Sequence, residues 1–308
     1  MTKMDKLQKD LMAKVAGLHD IPSGAVNIRV DGEAAVRNST DTVRISPKTD
    51  KPGIDIAIRN GTVNEAVHIP VIISQAGLTE IVYNDFFIGE DCDVTIVAGC
   101  GIHNDGDDDS QHDGIHKFFV GKNSRVRYVE THYGSGEGEG GRILNPQTIV
   151  ELEENAVIEM ETVQIKGVDS TVRWTKADLA AGAKLIISER LMTHGKQYAK
   201  SEFEINMNGD GAASTVSSRS VAKDKSSQLF ASRVVGNAEC TGHSECDAII
   251  MGNAKVDAVP EILANHPEAS LIHEAAIGKI AGEQLIKLRT LGLSEEEAEE
   301  QIIGGFLA

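Results

Sequence analysis

Ile88-Gly-Glu-Asp-Cys-Asp-Val94 returns as Val120-Gly-Lys-Asn-Ser-Arg-Val126, Leu152-Glu-Glu-Asn-Ala-Val-Ile158 and Leu179-Ala-Ala-Gly-Ala-Lys-Leu185, with a weaker copy at Met207-Asn-Gly-Asp-Gly211. The copies begin 32, 32, 27 and 28 residues apart. Each sets Asn, Asp or Gly between apolar residues, and most lead into a β-rich run such as Val157-Ile-Glu-Met-Glu-Thr-Val163. Those three residue types are the ones that turn a chain most cheaply. A strand-and-turn unit that cannot bury its own apolar face must stack on its neighbours. The period exceeds a hexapeptide coil and suits coils of several short strands. The expected fold is mainly β, a parallel right-handed β-helix or β-solenoid, with a Greek-key sandwich as the competing arrangement.

Before the repeats, Leu7, Leu11, Val15 and Leu18 recur at helical spacing, which predicts one short N-terminal helix within residues 1–20. From Ala25 to Ile73 the pattern alternates in short runs broken by Asp31-Gly32 and Asn60-Gly61, the signature of strands and tight turns. Two stretches read as loops interrupting the repeats: the acidic, histidine-rich His103–His116 and the Gly/Glu run 134–141. The second lacks the Lys-Ser/Thr ending of a phosphate loop. After Ala275 the period becomes helical again, with Ile277, Ile280, Leu285, Leu288 and Leu291 as an apolar stripe and Gly292 at its end. Ser294-Glu-Glu-Glu297 then forms a capping box for a second helix. The expected division is a helix over 1–20, a β-helix core over 21–274 and a helical segment over 275–308.

The 308 residues carry a net charge of −17, which disfavours nucleic acid and anionic membrane as partners. No apolar run approaches spanning length and the N-terminus lacks a signal-peptide core, so a cytosolic location is expected. In that compartment the four cysteines are thiols or metal ligands rather than disulfides. Chemistry concentrates between Cys240 and Ile280, which holds Glu245-Cys246-Asp247 and His273-Glu274. A cysteine thiolate is both nucleophile and soft ligand, so Cys246 can take up sulfur as a persulfide or hold iron, or it can be a buried inert thiol. His273 and Glu274 offer harder donors. On a strand, adjacent residues face opposite sides, so both reach one cluster only through a backbone bend or a subunit seam. A helix starting near Ala275 would instead make Glu274 an N-cap. Cys100 and His116 flank the acidic loop, whose His103, His112 and Asp105–Asp109 read as a solvated surface. Cys92 and Cys240 read as structural thiols.

His273-Glu-Ala-Ala-Ile-Gly-Lys-Ile280, Glu283 through Ala298 and Gly304-Gly-Phe306 together resemble the C-terminal signature of the SufB/SufD family, scaffold proteins of iron–sulfur cluster assembly. Glu245-Cys246-Asp247 is similar to the family's Gln-Cys-Asp segment, and Ala98-Gly-Cys100 and Ile115-His116 follow its Gly-Cys and Leu-His segments. The resemblance implies a β-helix core and a transient iron–sulfur cluster held by Cys246, His273 and Glu274. It implies sulfur transfer through Cys246 and Cys100, with His116 as an accessory. It also implies a SufC-like ABC-type ATPase on the C-terminal helices, a sulfur donor from a cysteine desulfurase system, and pairing as a homodimer or with a SufB/SufD-like paralogue. The chain has no Walker motif, so it is expected to be a scaffold rather than an enzyme, with ATP hydrolysis on the partner. Relative to longer members, the large N-terminal helical region is reduced to about one helix. The competing class is a β-helix polysaccharide lyase or hydrolase, which the scarcity of aromatics (4%) disfavours.

Overall fold

The computed structural model describes residues 4–308. The chain opens with α1 (Lys6–Ala16) and four short strands, β1 (Ala25–Val30), β2 (Glu33–Asn38), β3 (Val43–Pro47) and β4 (Gly53–Ile58). Then come β5 (Val63–Ile73), β6 (Thr79–Ile88), β7 (Asp93–His103), β8 (Ser110–Val120), β9 (Arg125–Ser135), β10 (Arg142–Leu144), β11 (Gln147–Leu152) and β12 (Val157–Lys166). They continue as β13 (Ser170–Leu179), β14 (Lys184–Thr193), β15 (Tyr198–Met207), β16 (Ala212–Ala222), β17 (Ser227–Gly236), β18 (Cys240–Ile250), β19 (Lys255–Ala264) and β20 (Ala269–Gly278). Two helices close the chain, α2 (Gly282–Thr290) and α3 (Glu295–Phe306).

From β5 onward the strands alternate between two ten-stranded sheets, β10 and β11 together filling one place, and every pairing there is parallel. This is the β-solenoid that the repeat predicts. The cassette residues Ile88, Val120, Leu152, Leu179 and Met207 each end a strand of one sheet, where the chain turns into the other. Asp91, Asn123 and Asn155 turn with positive φ (54°, 58° and 57°), and Gly182 and Gly211 take over that task in later coils. Asn and Asp tolerate this region better than other side chains, and Gly enters it without a Cβ clash. Stacked corners share backbone bonds, such as Gly121 N to Ile88 O and Glu153 N to Val120 O. The two 32-residue coils owe their extra length to residues 104–109 and 136–141. These stack on one another through Gly138 N to Asn104 O and Gly140 N to Gly106 O.

Within each coil the strands alternate buried and half-exposed, as β8 does without interruption from Ser110 to Val120. Inward residues of both sheets meet in a narrow core. Phe86 lies flat on Phe118 with ring centroids 4.4 Å apart, Tyr128 meets Phe118 edge-on, and Ile96, Ile158, Leu185 and Ile205 continue the layer. At the N-terminal end the antiparallel pairs β1–β2 and β3–β4 terminate the sheets. There α1 lies across β5, β7 and β9, its Leu11 and Val15 buried. Gly99 permits this approach, since a Cβ there would stand 2.4 Å from the Val15 carbonyl oxygen.

The other end is open. Among the described residues no strand pairs with the outer edges of β19 and β20, and several of their apolar residues stay in solvent, Val259 at 56% exposure. Helix α3 folds back so that Ile303 and Leu307 pack on Val221, Met192 and Ile249 on the outer surface of β14, β16 and β18. Its capping box forms as predicted, with Glu297 N donating to Ser294 Oγ at 3.2 Å and Ser294 N to Glu297 Oε2 at 2.8 Å. By contrast, α2 buries none of its residues. Two expectations need correction here. The helical segment starts at Gly282 rather than 275, because β20 remains hydrogen-bonded to β18 through Gly278. Glu274 is therefore mid-strand and cannot be an N-cap. The histidine-rich loop is also shorter than expected, ending at Asp109; β8 carries His112 and His116 into the solenoid.

Candidate functional site

Strand phase decides what each candidate residue can meet. On β18, Ser244, Cys246 and Ala248 face inward, while His243, Glu245 and Asp247 face out. Cys246 is 1% exposed. On β20, His273 follows the inward phase and its ring stacks on Phe230, centroids 6.4 Å apart. Glu274 points outward, where its Oε2 lies 3.2 Å from His243 Nε2. Cys246 and His273 thus share the interior at the open end, and Glu274 sits on the opposite face of the same sheet with Glu245 beside it in register. The backbone does not bend to unite them. Among the described residues no three His, Cys, Asp or Glu side chains converge at metal-ligand spacing.

A buried polar row leads from Cys246 toward the N-terminal end. Cys246 neighbours Ser218 in register, and Ser218 Oγ donates to Glu189 Oε2 at 2.7 Å. The other carboxylate oxygen of Glu189 accepts from Ser201 and lies 3.8 Å from Arg173 Nε. Arg173 in turn donates to Glu130, and His132 Nε2 approaches Glu130 at 3.5 Å. His132 neighbours Cys100 in register. The row therefore joins the two cysteines singled out in the sequence. Tyr128 O–H donates to Glu130 at 3.0 Å and its oxygen lies 2.8 Å from His116 Nδ1, which ties His116 to the same network. Sequence reading missed Glu130, His132, Arg173, Glu189 and Ser218. The signal was only partial: each falls on the buried phase of its strand, but that phase also carries other polar residues, such as Thr171 and Thr175 on β13.

Burial in such a row reshapes acidity. Burial, reinforced by Glu189 and Asp247, pushes the Cys246 thiol up to about 12. Burial and the carboxylates Glu80 and Glu130 raise Cys100 well above a free thiol. Both sulfurs are neutral in the closed chain, hence poor nucleophiles. Burial alone would raise the Glu130 carboxyl, but Arg173, His132 and His116 outweigh it and hold that group well below the usual carboxylate range. Burial pulls His116 down to about 4, only partly opposed by Glu130.

These shifts predict acid sensitivity. A histidine whose folded pKa is depressed contributes stability that is present above its unfolded value and lost as pH falls through the folded one. For His116 that window runs from 6.5 down to about 4, worth on the order of 3 kcal/mol. Glu130 adds further loss at still lower pH. Urea-unfolding midpoints should drop steeply between pH 6.5 and 4, and less so in His116→Gln. A midpoint that is flat over that window would contradict the buried neutral imidazole.

No helix among the described residues is long and apolar enough to cross a membrane. The family model described as "SUF system FeS cluster assembly, SufBD core domain" matches residues 74–306, which contain every candidate residue above. The chain is 28% identical over 243 residues to an iron–sulfur cluster assembly SufBD family protein of Methanocaldococcus jannaschii, covering 78% of this chain and 76% of that one. It is 28% identical over 228 residues to one of Archaeoglobus fulgidus and 26% identical over 243 residues to one of Methanothermobacter thermautotrophicus. Those matches cover 73% and 77% of this chain but only 60% and 58% of the relatives, under two thirds of their length.

Proposed function

This chain belongs to the SufBD family of iron–sulfur cluster assembly proteins, and on that premise we propose that it is a scaffold on which sulfur and iron combine into a labile cluster at a seam between two copies. What supports this most directly is the continuous buried row from Cys100 to Cys246, ending where the solenoid is open. In this reading a persulfide on a desulfurase-type donor hands its outer sulfur to the Cys100 thiolate, the donor leaving as a thiolate, and the sulfur released from Cys100 is delivered along the row to Cys246. The row keeps each thiol neutral and shielded until the wall opens, so sulfur is not lost to solvent.

The open end supports pairing. Strands β19 and β20 present unpaired edges, a ready template for another β-sheet. His273 inside and Glu274 outside cannot grip one cluster in a single chain. A second copy, or a SufB/SufD-like paralogue, set edge to edge brings complementary donors across the seam. Mixed sulfur, nitrogen and oxygen ligation binds a cluster less firmly than four thiolates, which suits a scaffold that must release it. The chain itself is not an enzyme in this scheme. ATP hydrolysis belongs to a SufC-like ABC-type ATPase docked on α2, where Ile286 (62% exposed) and Leu291 just past the helix end (75%) stand in solvent. Dimerisation of that ATPase would turn the paired helices, and through α3 the outer surface of β14, β16 and β18, opening the wall around Cys246.

Anaerobic reconstitution with ferrous iron and sulfide tests the reading. The protein is expected to become coloured through sulfur-to-iron charge transfer and to migrate as a dimer. A chain that stays colourless and monomeric at every ratio of iron to protein would overturn it.

A further inference from the structure

Gly114 lies inward on β8 in the middle of an otherwise filled core, and the space its missing side chain leaves is lined by donors. The Nε2 atoms of His112 and His116 stand 3.3 and 3.4 Å from where a Cβ of residue 114 would be. Cys100 lines the same internal cavity, with Glu130 and His132 at its edge. We propose that this pit is a binding site for a single divalent transition ion, held by His112 Nε2, His116 Nε2 and the Cys100 sulfur. Imidazole and thiolate together select borderline ions of the ferrous and zinc type over magnesium or calcium. The two imidazoles lean toward one point, and since no third donor stands at ligand distance among the described residues, the proposal requires the Cys100 side chain to rotate toward them.

The surroundings fit a ligand site better than a packing defect. His112 Nδ1 faces Glu80 Oε1 at 3.1 Å, and Glu80 is held in turn by Arg29 at 2.9 Å. A carboxylate on the far nitrogen of a histidine sets its tautomer and strengthens it as a ligand. His116 Nδ1 is likewise engaged by Tyr128, and its Nε2 lies 3.2 Å from the Asn84 side-chain nitrogen, a contact that a bound ion would replace. Next to His116 the side-chain oxygen of Asn84 is buried without a hydrogen-bond partner, a state that usually signals a missing neighbour.

The strand ladder is also interrupted here. Residues 145–146 separate β10 from β11 opposite residues 113–114, because Leu144 pairs with His112 and Gln147 with Ile115. Pro146 lines the cavity and has no N–H to give the ladder. On binding, Cys100 would lose its proton to solvent and the sulfur–metal bond would form, with no change of oxidation state. The cation would thereby supply the thiolate that burial, Glu80 and Glu130 suppress in the empty chain.

The inference rests on the scaffold reading only for the natural ion, taken to be ferrous iron; the site is tested without it. In the Cys246→Ser chain, anaerobic cobalt(II) titration should give one bound equivalent with the visible bands of a tetrahedral thiolate site. Gly114→Ala fills the pit without removing a donor and should weaken binding at least tenfold. Glu80→Gln should weaken it about ten- to a hundredfold. Cys100→Ala should lose the thiolate charge-transfer band while weaker d–d bands remain. Thermal melts of the metal-free variants establish that each is folded. Absence of bound cobalt in the Cys246→Ser chain, or equal affinity in Gly114→Ala and Glu80→Gln, overturns the site. Failure of the scaffold reading would appear elsewhere, as wild-type protein that binds cobalt yet never assembles a cluster.

Discussion

Cys246→Ser is expected to abolish the charge-transfer colour of the reconstituted protein while leaving its fold intact. The exchange trades a soft sulfur for a hydroxyl of nearly equal size, and a hydroxyl neither carries sulfane sulfur nor competes for iron. The position accommodates it. Ser218 is its register neighbour and Ser244 lies two residues before it on the same inner surface, so a further hydroxyl has acceptors at hand. Cys92→Ser is the informative control. Its sulfur donates to the Arg59 carbonyl at 3.1 Å, at a corner far along the solenoid from the open end, and the variant should colour like the parent. Retention of full absorbance in Cys246→Ser would remove the residue from the chemistry.

A second readout follows from acidity. With its thiol pushed up to about 12, Cys246 should present about a thousandfold less thiolate at neutral pH than an ordinary cysteine. Alkylation of the isolated chain should be correspondingly slow and should accelerate when an ATPase partner and nucleotide open the wall. Fast alkylation of the resting chain would deny the shielded state.

Arg173→Met is expected to destabilise the protein by roughly 3–5 kcal/mol, the usual consequence of removing one member of a buried ion cluster. Arg173 stands between Glu130 and Glu189 with all three side chains almost wholly out of solvent. Its loss leaves two carboxylates in a narrow core with no counter-charge. The cost comes from those stranded charges rather than from lost attraction. Adding Glu130→Gln and Glu189→Gln to Arg173→Met should therefore restore much of the stability. Urea unfolding at neutral pH measures both. A change below about 1 kcal/mol in the single variant would mean that water reaches the row. The restored triple variant also separates structure from chemistry, since it keeps the fold but interrupts the polar path between Cys100 and Cys246. Poor cluster formation from a stable triple variant is the expected outcome.

Much of the architecture was legible because it is local. The corners at Ile88, Val120, Leu152, Leu179 and Met207 announce themselves through Asp, Asn and Gly that must turn with positive φ, and spacing alone then demands stacked coils. The capping box at Ser294–Glu297 is equally local. Errors arose where local signals were ambiguous. Ala275-Ala-Ile-Gly fits a helix by composition, but pairing with β18 holds it extended. His103–His116 reads as polar surface, yet from Ser110 its histidines alternate into the core.

Residue types and their turn chemistry, then, were sufficient for the solenoid, its terminal helices and the short list of thiols, histidines and carboxylates. Which of those side chains meet was decided by stacking. Arg173 lies 43 residues from Glu130 and Ser218 lies 29 from Glu189, distances at which sequence carries no contact signal. One-residue alternation sends His273 inward and Glu274 outward. Only the coiling of whole strands, driven by burial of the apolar phase, lines up Cys100, His132, Glu130, Arg173, Glu189 and Cys246 as one interior path.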